Sequence, residues 1–394
     1  MNGAGCPFSD MEGDIHPSGP VRFSETWILR PVSPNLAGLT GVAAFGTIAL
    51  VGTYILRRLL QGIPTFLGVT IIAFLLMLAA PGDPIAMITF SPTRADPEST
   101  ERLRRKLGLD QPPLVQYVYW LVGNDWARVD SDGDGQADSY GERKGLLRGD
   151  LGQSLKHRRP VSELLIEKIP ATLLLTFSAL IVGYGLGILL GVLGAIYHHN
   201  IWVDQSVRVI TVIGNAMPQF WLGLILIIIF SVQLDILPMS GMRDITRRDG
   251  GFNLKETVSH MIMPVFVLSL WTIAFISRFT RTRLLEVLEQ DFVRTARSKG
   301  LSNRRVWWLH ALPNALIPVA TFLGPALGTL LAGAVIIEKV FSWPGMGRLV
   351  VDGVFNRDYP LVMGSVVIAA AMFMVGLLIS DILYAMIDTR SRFK

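Results

Sequence analysis

Asp291-Phe-Val-Arg294-Thr295-Ala296-Arg297-Ser-Lys-Gly300 lies between two apolar segments of this chain and is followed by Leu312-Pro313. The stretch predicts one helix that ends at Gly300 and a second, from Asn303 to Leu309, that leads into the proline. Between Arg278 and Arg305 the chain has eight Arg or Lys residues against three acids. So basic a segment cannot lie in the hydrocarbon of a bilayer, and positive charge between spans favours the cytoplasmic side. The sequence therefore predicts a cytoplasmic helix-turn-helix that joins two membrane spans.

The composition around this stretch is that of a polytopic helical membrane protein. Hydrophobic residues make up 51% of the chain, charged residues 17%, and the mean hydropathy is +0.44. Several charge-free runs exceed the roughly 20 apolar residues that a helix needs to cross a bilayer. The predicted spans are residues 58–80, 171–198, 207–234, 260–278, 314–337 and 361–387.

Loop charges orient these spans. Basic groups precede the first span, follow the fourth and follow the last, so an even number of crossings separates them and all three can be cytoplasmic. The segment 81–170 and the loops 235–259 and 338–360 then face the exterior. The same topology explains the pI near 9.4 better than nucleic-acid binding does. One cysteine, Cys6, excludes a disulfide within the chain and a Cys-rich metal site.

Two kinds of chemistry are absent from the sequence. The span centres contain no Asp, Glu, Lys, Arg or His, whereas proton-driven and ion-coupled carriers commonly place such groups inside the membrane. The chain also lacks the G-x-x-x-x-G-K-[ST] loop that cradles ATP phosphates. Driven transport would therefore need a second polypeptide as its engine. Two rival classes stay open: a membrane enzyme, which would need a convergent catalytic set, and a self-contained channel or carrier, which would work without an ATPase.

The helix-turn-helix resembles the EAA loop of ABC importer permeases, in which a small residue, a glycine four positions later and a Leu-Pro pair recur in this order. Arg294, Thr295 and Ala296 stand where the general pattern has Glu-Ala-Ala, and the version Arg-Thr-Ala-Arg-x-Lys-Gly-Leu is similar to the dipeptide/oligopeptide/nickel branch. Further motifs of that branch follow in the same order over about residues 55–394. They include Pro81-Gly82-Asp83-Pro84, Arg148-Gly149-Asp150-Leu-Gly152-Gln-Ser154, Pro170-Ala171-Thr172-Leu173 and Arg357-Asp358-Tyr359-Pro360.

The resemblance implies an all-α fold of six core transmembrane helices, the type I ABC importer permease fold, in the bacterial inner membrane. It implies a transport subunit that is not itself an enzyme and that translocates peptides or related small solutes. The implied partners are a second homologous permease, two ABC ATPase subunits that carry ATP and Mg²⁺, and an exterior solute-binding protein. The implied ATPase-coupling residues are Arg294, Thr295, Ala296, Arg297, Gly300, Leu312 and Pro313.

The expected organisation starts with an N-terminal extension, residues 1–53, and a first core span, 54–80. An exterior segment, 81–170, contains an acidic insertion at 124–147. A permease core, 171–389, contains the coupling loop 278–313, and a cytoplasmic tail, 390–394, ends the chain. Residues 31–56 are free of charge but rich in Gly, Ala and Thr. They are either an extra span or a start that does not cross the membrane.

Glycines predict where two spans pack closely. Gly183, Gly187 and Gly191 recur at every fourth position, as do Gly324, Gly328 and Ala332. Small residues at this spacing let helix backbones approach each other in lipid.

A candidate translocation path lies at Asn215-Ala-Met-Pro218-Gln219, which interrupts a long apolar span. Proline removes a backbone hydrogen bond and kinks the helix, and the carbonyls it exposes are tolerated only in protein or beside water. Asn215 and Gln219 are four residues apart and share a face, so they are candidate lining groups. The alternative is that both side chains hydrogen-bond between helices.

The loop 338–360 carries Glu338, Pro344, Gly345, Gly347 and Asp358, and by resemblance it forms an exterior scoop over the pore mouth. The alternative is a Gly/Pro-rich loop that only joins two helices.

The exterior insertion departs from the family pattern. Asp130, Asp132, Asp134, Gln136 and Asp138 match the first nine positions of a calcium loop, with Gly135 at the sharp turn. The bidentate Glu usual at position 12 is missing, because Gly141 stands there and Glu142 follows. The segment is either a calcium site or a flexible acidic insertion, and no other cofactor is expected in this chain.

Overall fold

The computed structural model describes residues 39–79, 97–130, 136–243 and 253–387. The chain separates into two units, residues 1–54 and residues 55–394. The described part of the first unit, from Leu39 onward, is helical. The candidate extra span at 31–56 begins outside the described residues and stays a prediction. The Pro81-to-Pro84 motif, Asp132, Asp134 and the tail 390–394 also lie outside them.

The described residues are mostly helical, so the all-α expectation is confirmed. The helices are α1 (Leu39–Ala79), α2 (Pro97–Lys106), α3 (Pro113–Val122), α4 (Val161–Ile196), α5 (Ile201–Ala216), α6 (Gln219–Leu226), α7 (Leu254–Leu288), α8 (Asp291–Ser298), α9 (Asn303–Arg305), α10 (Leu312–Ala320), α11 (Leu323–Val340), α12 (Met346–Phe355) and α13 (Tyr359–Ile387). Wider π-helical turns extend α6 over Ile227–Gln233 and join α9 to α10 over Val306–Ala311. A 3₁₀ turn, Leu146–Arg148, and one antiparallel ribbon, β1 (Arg128–Val129) with β2 (Ser139–Tyr140), belong to the segment before α4.

Four helical segments of the described chain are long and apolar enough to cross a membrane: Leu60–Ala79, Val161–Ile196, Leu254–Leu288 and Tyr359–Ser380. The other two predicted spans are each built from two helices. The third breaks at Met217-Pro218, between α5 and α6, as its proline predicts. The fifth breaks at Thr321-Phe322, between α10 and α11, where the sequence analysis expects one continuous helix. Pro325 lies in the first turn of α11, a position that needs no backbone N–H donor, so Gly324-Pro325 is the local signal for this break.

Helices α4 and α7 form the central pair, and three glycines of α4 set their separation. A Cβ atom added to Gly183 would lie 2.8 Å from Thr272 Cβ, and one added to Gly187 would lie 2.8 Å from Ile276 Cβ. At Gly191 it would lie 2.6 Å from Thr280 Cβ. The close packing predicted for this triplet is therefore confirmed. Gly324, Gly328 and Ala332 belong to a part of α11 whose side-chain packing is outside the described structure.

A second group of buried side chains joins α4 and α7 to α11. Leu175, Val267, Ile337, Phe341 and Trp343 are fully buried and pack together. The indole Nε1 of Trp343 donates a hydrogen bond of 2.9 Å to the carbonyl oxygen of Ala171. In lipid such contacts stabilise mainly through van der Waals packing, because the surrounding acyl chains are as apolar as the side chains. This cluster fixes the end of α11 against the beginning of α4.

Candidate functional site

Residues 291–311, called the basic hairpin here, fold as a helix, a glycine turn and a second helical limb. Val293 and Val306 are fully buried and pack with Ala296, which joins the two limbs. Gly300 has φ +76°, a left-handed conformation that glycine adopts without steric cost, and it ends the first limb. The hairpin is thus a defined element, as the sequence predicts.

The predicted coupling residues lie on the hairpin and at the start of the helix that follows it. Arg294, Thr295 and Arg297 are exposed on α8, whereas Ala296 packs inside. Arg294 lies 3.6 Å from Asp291, but both side chains are largely exposed, so this pair contributes little stability. Leu312 and Pro313 begin α10, where proline suits the first helical turn.

The basic hairpin is packed onto the ends of the two central helices. Ala311 is fully buried and packs with Val192 of α4 and Leu284 of α7 in one cluster. Leu288 contacts this cluster and also the hairpin's own core. Because one side chain belongs to both groups, the core of the hairpin and the ends of α4 and α7 are joined by continuous packing.

The loop 338–360 is held by a fully buried carboxylate. Glu338 Oε1 accepts a hydrogen bond of 2.7 Å from Thr172 Oγ1 of α4, and Oε2 accepts one of 3.0 Å from the backbone N–H of Arg348. The backbone N–H of Gly347 also donates to this carboxylate. Thr172 Oγ1 in turn accepts a hydrogen bond of 2.8 Å from the N–H of Met346. The N-terminus of α12 is therefore capped by α11 and α4, and a negative charge there also complements the helix dipole.

Two glycines of this loop are required by the close approach of α11. A Cβ atom at Gly345 would lie 2.3 Å from Glu338 Cδ, and one at Gly347 would lie 2.6 Å from Val335 Cα. Pro344 occupies the turn between α11 and α12, in which the N–H of Gly345 donates to the carbonyl oxygen of Trp343 at 2.8 Å. The structure thus brings Glu338, Gly345 and Gly347 into one contact group.

Asp358 lies at the other end of α12 and is also fully buried. It accepts hydrogen bonds from Ser154 Oγ at 2.5 Å and from the backbone N–H groups of Leu155 at 3.1 Å and Lys156 at 3.2 Å. The N–H of Leu361 lies 3.4 Å from the same carboxylate, which therefore also caps α13. Asp358 fastens the turn before α4 to the start of α13. In this conformation both carboxylates hold the loop and neither contacts solvent.

The partners of these carboxylates were not assigned roles from the sequence. Thr172 and Ser154 belong to motifs that carry the family resemblance, yet each lies far along the chain from its carboxylate. No pattern in the sequence pairs them, although a buried acid of either kind requires hydrogen-bond partners of some sort.

The candidate path residues lie at the break between α5 and α6. Pro218 is exposed and precedes α6, and its carbonyl oxygen accepts a hydrogen bond of 3.1 Å from the N–H of Leu222. Gln219 is half-buried at the first position of α6. Asn215 belongs to the last turn of α5, and its side chain is outside the described structure. Whether these side chains line a path stays a prediction.

The acidic insertion is closed at its base by the β1–β2 ribbon. Val129 pairs with Ser139, so Asp130 and Asp138 follow and precede paired residues. Glu142 forms a 3.0 Å ion pair with Lys106 in this structure. Positions 131–135 are outside the described residues, and no group of three or more metal-ligating side chains occurs among those that are described. The calcium site stays a prediction.

Comparison with known families identifies the chain. A family described as "Binding-protein-dependent transport system inner membrane component" matches residues 183–393. A second, described as "Binding-prot-dependent transport system membrane comp, N-term", matches residues 51–176. The chain belongs to the binding-protein-dependent transport system inner membrane components. The sequence-based predictions of the family and of the membrane location are thereby confirmed.

Known relatives of this inner membrane component cover most of it. It is 39% identical over 338 residues to the oligopeptide transport system permease protein AppB of Bacillus subtilis, covering 86% of this chain and 98% of AppB. It is 39% identical over 359 residues to the dipeptide transport system permease protein DppB of Escherichia coli K12, covering 86% of this chain and 99% of DppB. The di/tripeptide permease protein DppB of Pseudomonas aeruginosa is also 39% identical, over 355 residues, with 86% and 98% covered. A solved inward-facing structure of the MetNI methionine ABC transporter matches with a TM-score of 0.44 and 18% identity, over 57% of this chain and 97% of that chain.

Proposed function

We propose that this inner membrane component is the permease subunit of a peptide importer. The observation that carries the proposal is the identity of 39% with permeases named for oligopeptides, dipeptides and di/tripeptides, each matched over nearly its whole length. Solutes of this class are polar, and a path for them must offer polar groups at membrane depth. The break at Pro218 supports such a path, because the carbonyls freed at a helix break are tolerated beside water.

The energy for import would come from separate ATPase subunits that bind ATP and Mg²⁺. The exposed face of α8, with Arg294, Thr295 and Arg297, is the proposed contact with them. The packing of the basic hairpin onto the ends of α4 and α7 suits an element that passes on rigid-body motion. On this proposal the permease has no ATPase site of its own, and it assembles with a second, homologous permease, two ATPase subunits and an exterior solute-binding protein.

The loop 338–360 would serve as the exterior element over the mouth of the path. Its anchoring by Glu338 and Asp358 supports this role, because a loop fixed at both ends of α12 moves with the helices that hold it. A loop that only joined two helices would need neither buried charge.

Reconstitution in proteoliposomes tests the proposal. With its ATPase and binding-protein partners, the permease should take up labelled di- and tripeptides only when ATP is present. Arg297→Glu and Gly300→Glu should each abolish uptake while membrane insertion persists. No atom lies within 4 Å of a Cβ added at Gly300, so the glutamate meets only the backbone strain of a positive φ, about 1–2 kcal/mol.

The matched control is Arg102→Glu, which reverses an exposed charge on the predicted exterior segment and should leave uptake near the wild-type rate. Uptake that persists without the ATPase subunits would refute the importer proposal. Uptake that survives both hairpin variants would refute the coupling role of the hairpin.

We also propose that the acidic insertion binds calcium. The predicted ligands Asp130, Asp132, Asp134, Gln136 and Asp138 belong to a loop whose two ends the β1–β2 ribbon holds together. Titration calorimetry on the whole permease should show calcium binding in the wild type and a large loss of affinity in Asp132→Ala. The Glu142→Gln variant should bind as the wild type does, because Glu142 is engaged by Lys106. Equal binding by wild type and Asp132→Ala would contradict the site.

A further inference from the structure

The second limb of the basic hairpin presents a mixed basic and apolar face that the coupling role leaves unused. Trp308 is 50% exposed and Leu309 is 70% exposed. Arg304 and Arg305, about one turn earlier, are exposed as well. Two large apolar side chains and two cations therefore share one face of this limb.

These side chains surround one concavity. It is lined by Ser302, Arg304, Arg305, Trp308 and Leu309. Val306 and Ala311, on the opposite side of the same limb, are fully buried and fix its rotation. Within the part of the chain that the structure describes, neither guanidinium has an ion pair or a side-chain hydrogen bond. The concavity therefore holds two uncompensated positive charges and an apolar wall.

The place of this face just before the predicted span 314–337 suits the headgroup layer. Helix α10 opens with Leu312-Pro313, and Trp308 precedes that proline by five residues, which is roughly 6–8 Å along a helix. The headgroup layer of a bilayer is about 5–8 Å thick on each side. Tryptophan concentrates in that layer, and arginine side chains reach along it toward phosphates.

We propose that this concavity binds the headgroup of an anionic phospholipid in the cytoplasmic leaflet. Arg304 and Arg305 would donate to the phosphodiester oxygens, for which the planar guanidinium fork is well shaped. Trp308 and Leu309 would cover the glycerol and the first methylenes of an acyl chain. The cytoplasmic leaflet is rich in anionic lipid and attracts basic groups placed next to a span.

This site would hold the second limb of the hairpin at the membrane surface and leave the exposed face of α8 free for another partner. The proposal needs only the membrane placement of the hairpin. It does not require that the solute is a peptide or that an ATPase binds the hairpin. A permease without lipid binding could still import peptides, and the reverse also holds, so the two proposals can fail separately.

Native mass spectrometry of the purified permease, titrated with phosphatidylglycerol or phosphatidylcholine, tests the site. Phosphatidylglycerol should bind preferentially. The double variant Arg304→Gln/Arg305→Gln should lower its affinity roughly 30-fold, since a basic residue at an anionic surface contributes about 1 kcal/mol, or fivefold. Trp308→Ala should weaken phosphatidylglycerol binding too, whereas inorganic phosphate, which cannot cover the indole, should not compete.

The matched control is Arg294→Gln/Arg297→Gln, which removes the same charge from the other limb and should leave phosphatidylglycerol binding unchanged. If both double variants lost the same amount of phosphatidylglycerol affinity, the effect would come from net charge alone, and the proposed site would be overturned. Wild-type binding by Arg304→Gln/Arg305→Gln would also overturn it. If that variant kept phosphatidylglycerol binding but lost association with ATPase subunits, the face would belong to a protein partner instead.

Discussion

Replacement of Glu338 by leucine should release the loop 338–360 from the helices beneath it. The substitution removes the acceptor of three hydrogen bonds, from Thr172 Oγ1 and from the backbone N–H groups of Gly347 and Arg348. A buried donor left without its partner costs about 1–3 kcal/mol, so the loss of three such partners should amount to at least about 3 kcal/mol. Glu338→Gln keeps one oxygen acceptor but turns an amide NH₂ toward the remaining donors, and it should cost about 1–2 kcal/mol.

Hydrogen–deuterium exchange of the peptide that contains the first turn of α12 measures this release directly. Each 1.4 kcal/mol changes an equilibrium tenfold. The backbone amides of Gly347 and Arg348 should therefore exchange at least a hundredfold faster in Glu338→Leu and about five- to thirtyfold faster in Glu338→Gln. Exchange in α8 should stay unchanged, because no contact of Glu338 reaches the basic hairpin.

Glu286→Gln is the matched control. Glu286 pairs with Arg283 at 2.9 Å, but both side chains are about half exposed, and such pairs contribute at most about 1 kcal/mol. If Glu338→Leu exchanged in the first turn of α12 no faster than Glu286→Gln, the carboxylate would not be the anchor of this loop, and the reasoning from its burial would be refuted.

Three further changes probe other contacts. Asp358→Asn should weaken the attachment of the turn before α4 by about 2 kcal/mol, seen as faster amide exchange there. Gly187→Val should destabilise the α4–α7 pair by about 1–3 kcal/mol in thermal unfolding, whereas Gly185→Val, whose Cβ meets no atom within 4 Å, should not. The ion pair with Arg148 holds the pKa of Asp125 below its ordinary value of 3.8, so its contribution is complete above that value and is lost as the pH falls through the lowered pKa. The difference in melting temperature between wild type and Asp125→Asn should therefore be constant from pH 7 to 5 and vanish in stronger acid.

The parts of this fold that the sequence predicted are those fixed by local rules. The end of the first hairpin limb follows from Gly300, because glycine readily adopts the positive φ with which helices commonly end. The close approach of α4 and α7 follows from glycines at every fourth position of one helix. Each rule needs only neighbouring residues, so a single sequence is enough to apply it.

The roles of the buried carboxylates could not be predicted in this way. Glu338 and Thr172 are 166 positions apart, and Asp358 and Ser154 are 204 apart, so no local pattern shows that either pair meets. From the sequence alone, a glutamate at the end of a span is as consistent with a residue in contact with water as with a buried anchor. The break at Thr321-Phe322 could have been predicted from Gly324-Pro325, but the apolar run around these residues favoured one continuous helix.

Helix α4 connects the two regions that the proposed transport cycle requires to move together. Thr172 near its start binds Glu338 of the loop 338–360, and Val192 near its end packs with Ala311 of the basic hairpin. Twenty residues separate these contacts, which is about 30 Å along a helix. The glycine contacts with α7 lie between them. The close packing of α4 and α7 there would let a displacement of the hairpin reach the loop 338–360. For this reason Gly187→Val should lower ATP-driven uptake although it touches neither region, and unchanged uptake in a destabilised α4–α7 pair would show that the motion takes another route.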